Sequence, residues 1–197
     1  MQFKEMFANR LGWRRRLISG MALSAVAAAG VGAVFAPEPA QALCRRGAFT
    51  LFGGIDRELV LPHRICNNEP RSGNAIYQLE VPGERINAAV LEIEVSYDPI
   101  FTQPFRGGRF NIDAIEIIGE EGDRIAVEEI IWDQDASRVE IYPEEIIPAN
   151  SDFAIHFNDV YNPSRYQQNI FTLKVLQQGE SLRRIIGAWT LEISAGD

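Results

Sequence analysis

The sequence has little of what catalysis is usually built from. It holds two histidines and two cysteines in 197 residues. His63 follows Pro62, and His156 falls in the polar phase of an alternating segment. No G-x-S-x-G elbow is present, so nothing marks an activated nucleophile. A phosphate-cradling glycine loop is missing too: Gly53-Gly54 and Gly107-Gly108 are isolated pairs of the kind hairpins use. There is no internal repeat, no low-complexity tract and no sustained 3.6-residue apolar period, which removes solenoids, disordered tails and helical bundles from consideration.

Positive charge is also scarce, with 19 Lys+Arg against 27 Asp+Glu and a formal net charge of −8. The imbalance grows once the first 42 residues are set aside. They read as an export signal: a charged stretch ending in Trp13-Arg14-Arg15-Arg16, an apolar run from Leu17 to Ala36, and an A-x-A cleavage site at Ala40 and Ala42. Arg14-Arg15 followed by Arg16-Leu17-Ile18 also resembles a twin-arginine signal. An uncleaved anchor is the alternative for a run of this length, against which stand its Ala/Gly composition and Pro37 and Pro39. Five cations but only two acids precede Leu43, leaving 14 cations against 25 acids, a net charge of −11. Such a surface repels phosphate backbones and anionic membranes, so neither nucleic acid nor a membrane surface is an expected partner. After signal removal no membrane span is expected.

Two cysteines in an exported chain point to a Cys44–Cys66 disulfide. In the chain-entropy model closure of that loop stabilises by roughly 3 kcal/mol. A redox pair would sit at C-x-x-C spacing, and a metal site would need more partners than His63.

From Ile76 onward apolar and polar residues alternate, the mark of strands with one buried face. Leu91, Ile93, Val95 and Tyr97 share one phase; so do Phe153, Ile155 and Phe157, then Phe171, Leu173 and Val175, then Trp189, Leu191 and Ile193. Weaker strands are expected over 76–81, 112–118, 125–132 and 138–142. Turn signals separate them, among them Asp98-Pro99, Gly107-Gly108 and Asn162-Pro163. The expectation is an all-β fold, an antiparallel, immunoglobulin-like β-sandwich over 76–197 preceded by an N-terminal arm over 43–75 that the disulfide pins. A barrel is the alternative.

Several short motifs carry a resemblance. Tyr77-Gln78-Leu79-Glu80-Val81-Pro82, then Val139-Glu140-Ile141-Tyr142-Pro143 with Ile147-Pro148-Ala149-Asn150-Ser151, then Val160-Tyr161-Asn162-Pro163, and finally the strand from Tyr166 to Val175, are similar to a family of exported cyanobacterial proteins known as domain of unknown function 2808. The sequence departs from that pattern at Gln167-Gln168 and at Glu144-Glu145. The resemblance implies a β-rich exported domain and transfers no catalytic residue.

Three kinds of site merit weighing. Asp133, Asp135 and Ser137 place oxygen ligands at alternate positions, and Glu144 falls where a calcium loop has its bidentate acid. Arg138 stands where that loop needs glycine, and turns between strands use the same residue types. Carboxylate pairs for glycoside hydrolysis are the second kind. Glu128/Glu129 and Glu144/Glu145 are adjacent in sequence and so point to opposite faces of a strand, whereas Glu92 and Glu94 share a face, in the phase read as solvated. The third is a recognition surface. Tyr161, Asn162, Arg165 and Tyr166 put hot-spot residue types on one turn, and Tyr97 to Arg109, with Phe101, Phe105 and Arg106, forms a second such patch; the alternative is that these aromatics cap the core.

The expected function is that of a non-catalytic binding or structural component of the cell envelope or exoproteome, in the periplasm, the photosynthetic membrane lumen or outside the cell. Its expected partner is an envelope protein or a polysaccharide. A carbohydrate-binding module is the second reading and a glycan-acting hydrolase the third. No cofactor is expected beyond the calcium weighed above.

Overall fold

The alternating segments assemble face to face. The computed structural model describes residues 44–46 and 55–194, and the export signal read at 1–42 lies outside the described residues. One sheet runs in the order β1 (Cys44–Arg46), β2 (His63–Cys66), β3 (Ala75–Val81), β9 (Phe153–Val160), β5 (Ile115–Gly119), β6 (Arg124–Ile125). The other runs β11 (Arg184–Ile193), β10 (Gln167–Gln177), β4 (Val90–Tyr97), β8 (Arg138–Pro143), β7 (Val127–Asp133). All pairings between these strands are antiparallel. The fold is the all-β sandwich expected from the alternation, and the open order of each sheet sets the barrel aside.

The period of two is visible in burial. Ala75, Tyr77, Leu79 and Val81 are buried while Ile76, Gln78 and Glu80 between them are not, because successive side chains leave a strand on opposite faces. Phe153, Ile155 and Phe157 of β9 meet Phe171, Leu173 and Val175 of β10 in one core. Burying a side chain of this size contributes roughly 1.5–3 kcal/mol. The phase slips at the start of β4: Val90 is fully buried while Leu91, expected on the inner face, is only partly so. The register between β4 and β10 shifts at Leu176/Gln177, a bulge that turns the start of β4 over by one residue.

Segment 43–75 contributes β1 and β2. Cys44 faces Cys66 across the β1–β2 pair, and the two are disulfide-bonded. Because β2 is also paired to β3 from His63↔Leu79 to Cys66↔Ile76, this segment continues the first sheet. Among the described residues no helix is long and apolar enough to cross a membrane.

The strand directions place 67–74, 98–114 and 161–166 at one end of the sandwich, beyond Ala75, Tyr97 and Val160. Segments 120–123 and 144–152 lie at the other.

Candidate functional site

The first end is organised by one buried amide. Asn162 is wholly buried, its Nδ2 donates to the carbonyls of Asn67 (3.1 Å) and Glu69 (2.8 Å), and its Oδ1 accepts from the Tyr77 hydroxyl. Its own N–H donates to Ser72 O at 2.8 Å. Asn162 thus ties the 161–166 loop to the 67–74 loop from beneath, and burial pushes the Tyr77 hydroxyl pKa well up, keeping it a neutral donor. Of the four residues read as a possible binding loop, Asn162 lies beneath the surface, its side-chain hydrogen bonds made inside the fold.

The 98–114 crossover is stitched to the same loop. Arg109 and Tyr161 exchange backbone hydrogen bonds of 2.8 and 2.9 Å, and Ser164 N–H donates to Arg106 O at 3.1 Å. The approach is close enough to require glycine at 108, where a Cβ would lie 2.4 Å from the Phe101 ring and 2.7 Å from Tyr161 O. Arg71 N–H donates to Pro163 O at 3.2 Å, which brings the third loop in. The two patches read separately in the sequence are therefore one surface.

Its aromatic residues divide sharply. Phe101 stacks on Phe110 at 4.8 Å, and Tyr97, whose hydroxyl accepts from Trp132 Nε1, packs against both. Tyr97 and Phe101 therefore belong to the core, as the capping alternative held. Phe105, four residues on, is 105% exposed and has φ of +66°, a left-handed conformation costly for a bulky side chain. Tyr166 is 68% and Tyr161 37% exposed, with the Arg109 guanidinium 5.9 Å from the Tyr161 ring centre. Arg71, Arg106, Arg109 and Arg165 are all exposed.

The calcium quartet is not assembled. Asp133 Oδ1 accepts from Ala136 N–H (2.9 Å) and its Oδ2 pairs with Arg138 (3.0 Å), so the carboxylate closes the β7–β8 turn. Glu144 lies past the other end of β8, where Pro143 pairs with Val127, about 20 Å along the strand. Among the described residues no group of three or more His, Cys, Asp or Glu side chains is placed to hold a metal. Glu144 and Glu145 instead line a cleft of about 650 Å³ with Glu120, Glu121, Asp123 and Asp152.

Glu92 and Glu94 do share a face, but not a solvated one. Arg183, from the turn between β10 and β11, lies across it, donating to Glu92 (2.8 Å), Glu94 (2.8 Å) and Glu140 (2.9 Å). Lys174 adds a 2.7 Å bond to Glu94, and Glu94 and Glu140 are both buried. Burial raises the Glu94 carboxyl, yet hydrogen bonds from Lys174, Ser96 and Arg183 outweigh it and hold the pKa below the ordinary range. At Glu140 the Arg183 hydrogen bond dominates and acts in the same direction. These carboxylates are held ionised and fully coordinated, the opposite of a poised general acid. Nothing around Ser181-Leu182-Arg183-Arg184 in the sequence signals this role. His63, buried on β2, and His156, on β9, stand apart from it, and burial lowers the pKa of each.

A family model matches residues 49–193, under the description "Protein of unknown function (DUF2808)". The chain belongs to this family. The DUF2808 match spans β2 to β11, so the three loops at the first end and the Arg183 cluster fall inside it. No curated protein matches the sequence. Among solved structures, the collagen adhesin of S. aureus is similar at 12% identity and a TM-score of 0.36 over 61% of this chain, which spans 44% of the adhesin chain. BslA, a bacterial hydrophobin, is similar at 9% identity and 0.41, over 64% of this chain and 85% of its own. A Nocardia farcinica protein with an immunoglobulin-like fold is similar at 13% identity and 0.40, over 70% and 99%. These likenesses assign no function to the DUF2808 chain.

Proposed function

We propose that the protein is an exported, non-catalytic β-sandwich that binds a component of the cell envelope or exoproteome through the end carrying Phe105, Tyr161, Arg165 and Tyr166. The observation that carries this reading is Phe105: an aromatic ring held wholly in water on a left-handed backbone, at the end of the sandwich that also carries exposed arginines and two exposed tyrosines. Such exposure opposes stability, and a buried counterpart on a partner removes the cost. The Cys44–Cys66 bond supports an oxidising destination. A carbohydrate-binding module is the second reading, favoured by the exposed Tyr161 and Tyr166 rings.

The test is retention of the tagged mature protein on native envelope fractions, alongside melting temperature. Phe105→Ala and Tyr166→Ala are expected to weaken retention by at least about 10-fold each, as for hot-spot truncations, with stability unchanged within about 0.5 kcal/mol because both side chains are exposed. Unchanged retention, or a loss that follows a fall in stability, overturns the reading.

A further inference from the structure

The ionic contacts of the molecule are unevenly spread. Arg64, Arg124, Arg138, Lys174, Arg183 and Arg184 each pair with a carboxylate, and Arg85 donates to Glu58 O. In a chain with 25 acids beyond residue 42 for 14 cations, carboxylate partners are plentiful. Yet Arg71, Arg106, Arg109 and Arg165 make no ion pair among the described residues, and all four sit on the three loops tied together at one end. The acids of that end do not pair with them: Asp98 accepts from Ile100 N–H (3.1 Å), Asp133 pairs with Arg138, and among the described residues Glu69, Asp113, Asp135 and Asp159 form no ion pair. Four guanidinium groups without an ion pair among the described residues thus share three tied loops with three exposed aromatic rings.

We infer that this end binds an anionic polysaccharide, its arginines taking carboxylate groups along the polymer and Phe105, Tyr161 and Tyr166 stacking on the sugar rings between them. The inference rests on the reading that this end is the binding surface, and names its ligand. Guanidinium forks match carboxylates bidentately. The electron-rich faces of aromatic rings accept the polarised C–H edges of a sugar, a contact an acidic polypeptide does not offer at regular spacing. The excess of acid elsewhere does not forbid this. At physiological salt the Debye length is about 8 Å, so carboxylates farther than that from the bound polymer are screened while arginines in contact are not.

Affinity electrophoresis of the mature protein in gels containing alginate, neutral dextran or poly-glutamate tests the inference, repeated at rising NaCl. Retardation by alginate that falls at least about 10-fold from low to 0.5 M salt, with none by dextran and much less by poly-glutamate, is expected. The combined variant R106Q/R165Q is expected to lose at least 10-fold in alginate affinity, and Tyr166→Ala a similar amount, with unchanged melting. Equal retardation by poly-glutamate overturns the polysaccharide assignment. Salt-insensitive binding to dextran, or no retardation by alginate, overturns the anionic one. In either case the broader reading survives if envelope retention still depends on Phe105 and Tyr166, and fails with it if retention does not.

Discussion

At Asn162 one wholly buried side chain satisfies two loop carbonyls and the hydroxyl of the equally buried Tyr77. Asn162→Ala leaves the buried Tyr77 hydroxyl without its partner and frees the half-buried Asn67 carbonyl, while Glu69 O keeps the Ser72 N–H. A buried polar group left unpaired costs about 1–3 kcal/mol. Urea denaturation is expected to show a loss of about 1–3 kcal/mol. A loss below about 0.5 kcal/mol would show that water replaces the amide. The neighbouring Arg165 and Tyr166 are exposed, so their truncation leaves stability nearly unchanged. Residue type alone did not separate the buried Asn162 from its exposed neighbours. In the same way Phe101 and Phe105, four positions apart in one turn-rich segment, became core and surface only when Gly108 let the loop press Phe101 inward.

At the scale of elements, Arg183 acts as a latch between the β10–β11 turn and strands β4 and β8. Removing one partner of a buried pair strands the others: a fully buried case costs about 3–5 kcal/mol, and the partial exposure of Arg183 brings the expected cost of Arg183→Met to about 2–3 kcal/mol. The effect carries a pH signature. The folded pKa values of Glu94 and Glu140 lie below their unfolded values, so their contribution is fully present above the ordinary carboxylate pKa of about 4.3 and is lost as pH falls through the folded values. The gap in unfolding free energy between wild type and Arg183→Met should therefore be constant near neutrality and close below about pH 4. A gap independent of pH would assign the loss to packing of the Arg183 stem instead. The strand alternation placed Glu92 and Glu94 together on the outer face; that an arginine more than 80 positions along the chain would cover them was not written in any local pattern.

For the whole molecule, the excess of carboxylates beyond residue 42 produces self-repulsion that opposes the compact state. Raising NaCl from 10 to 150 mM shortens the Debye length from about 30 to about 8 Å. The melting temperature is therefore expected to rise by roughly 1–2 °C, equivalent to about 0.5 kcal/mol for a domain of this size. A fall would mean that the Arg183 cluster, which salt weakens, outweighs the repulsion. The same excess bounds recognition: bulk charge steers anions away, so an anion at the proposed end is held by direct contact with its arginines.

The sequence by itself determined the strand content and the inward phase of the strongest strands, because a period of two in apolarity admits one buried face per strand. The sandwich was its first expectation, and the open order of the two sheets set the barrel aside. It also carried the residue types of the candidate site, as two stretches with no stated relation. Only the tertiary structure decided that these stretches are one surface, that Asn162, Tyr97 and Phe101 belong beneath it, that Asp133 and Glu144 stand at opposite ends of a strand, and which arginines go unpaired. Those outcomes depend on contacts between segments distant in the chain. Pairing and burial are properties of position in space, which local patterns constrain without fixing.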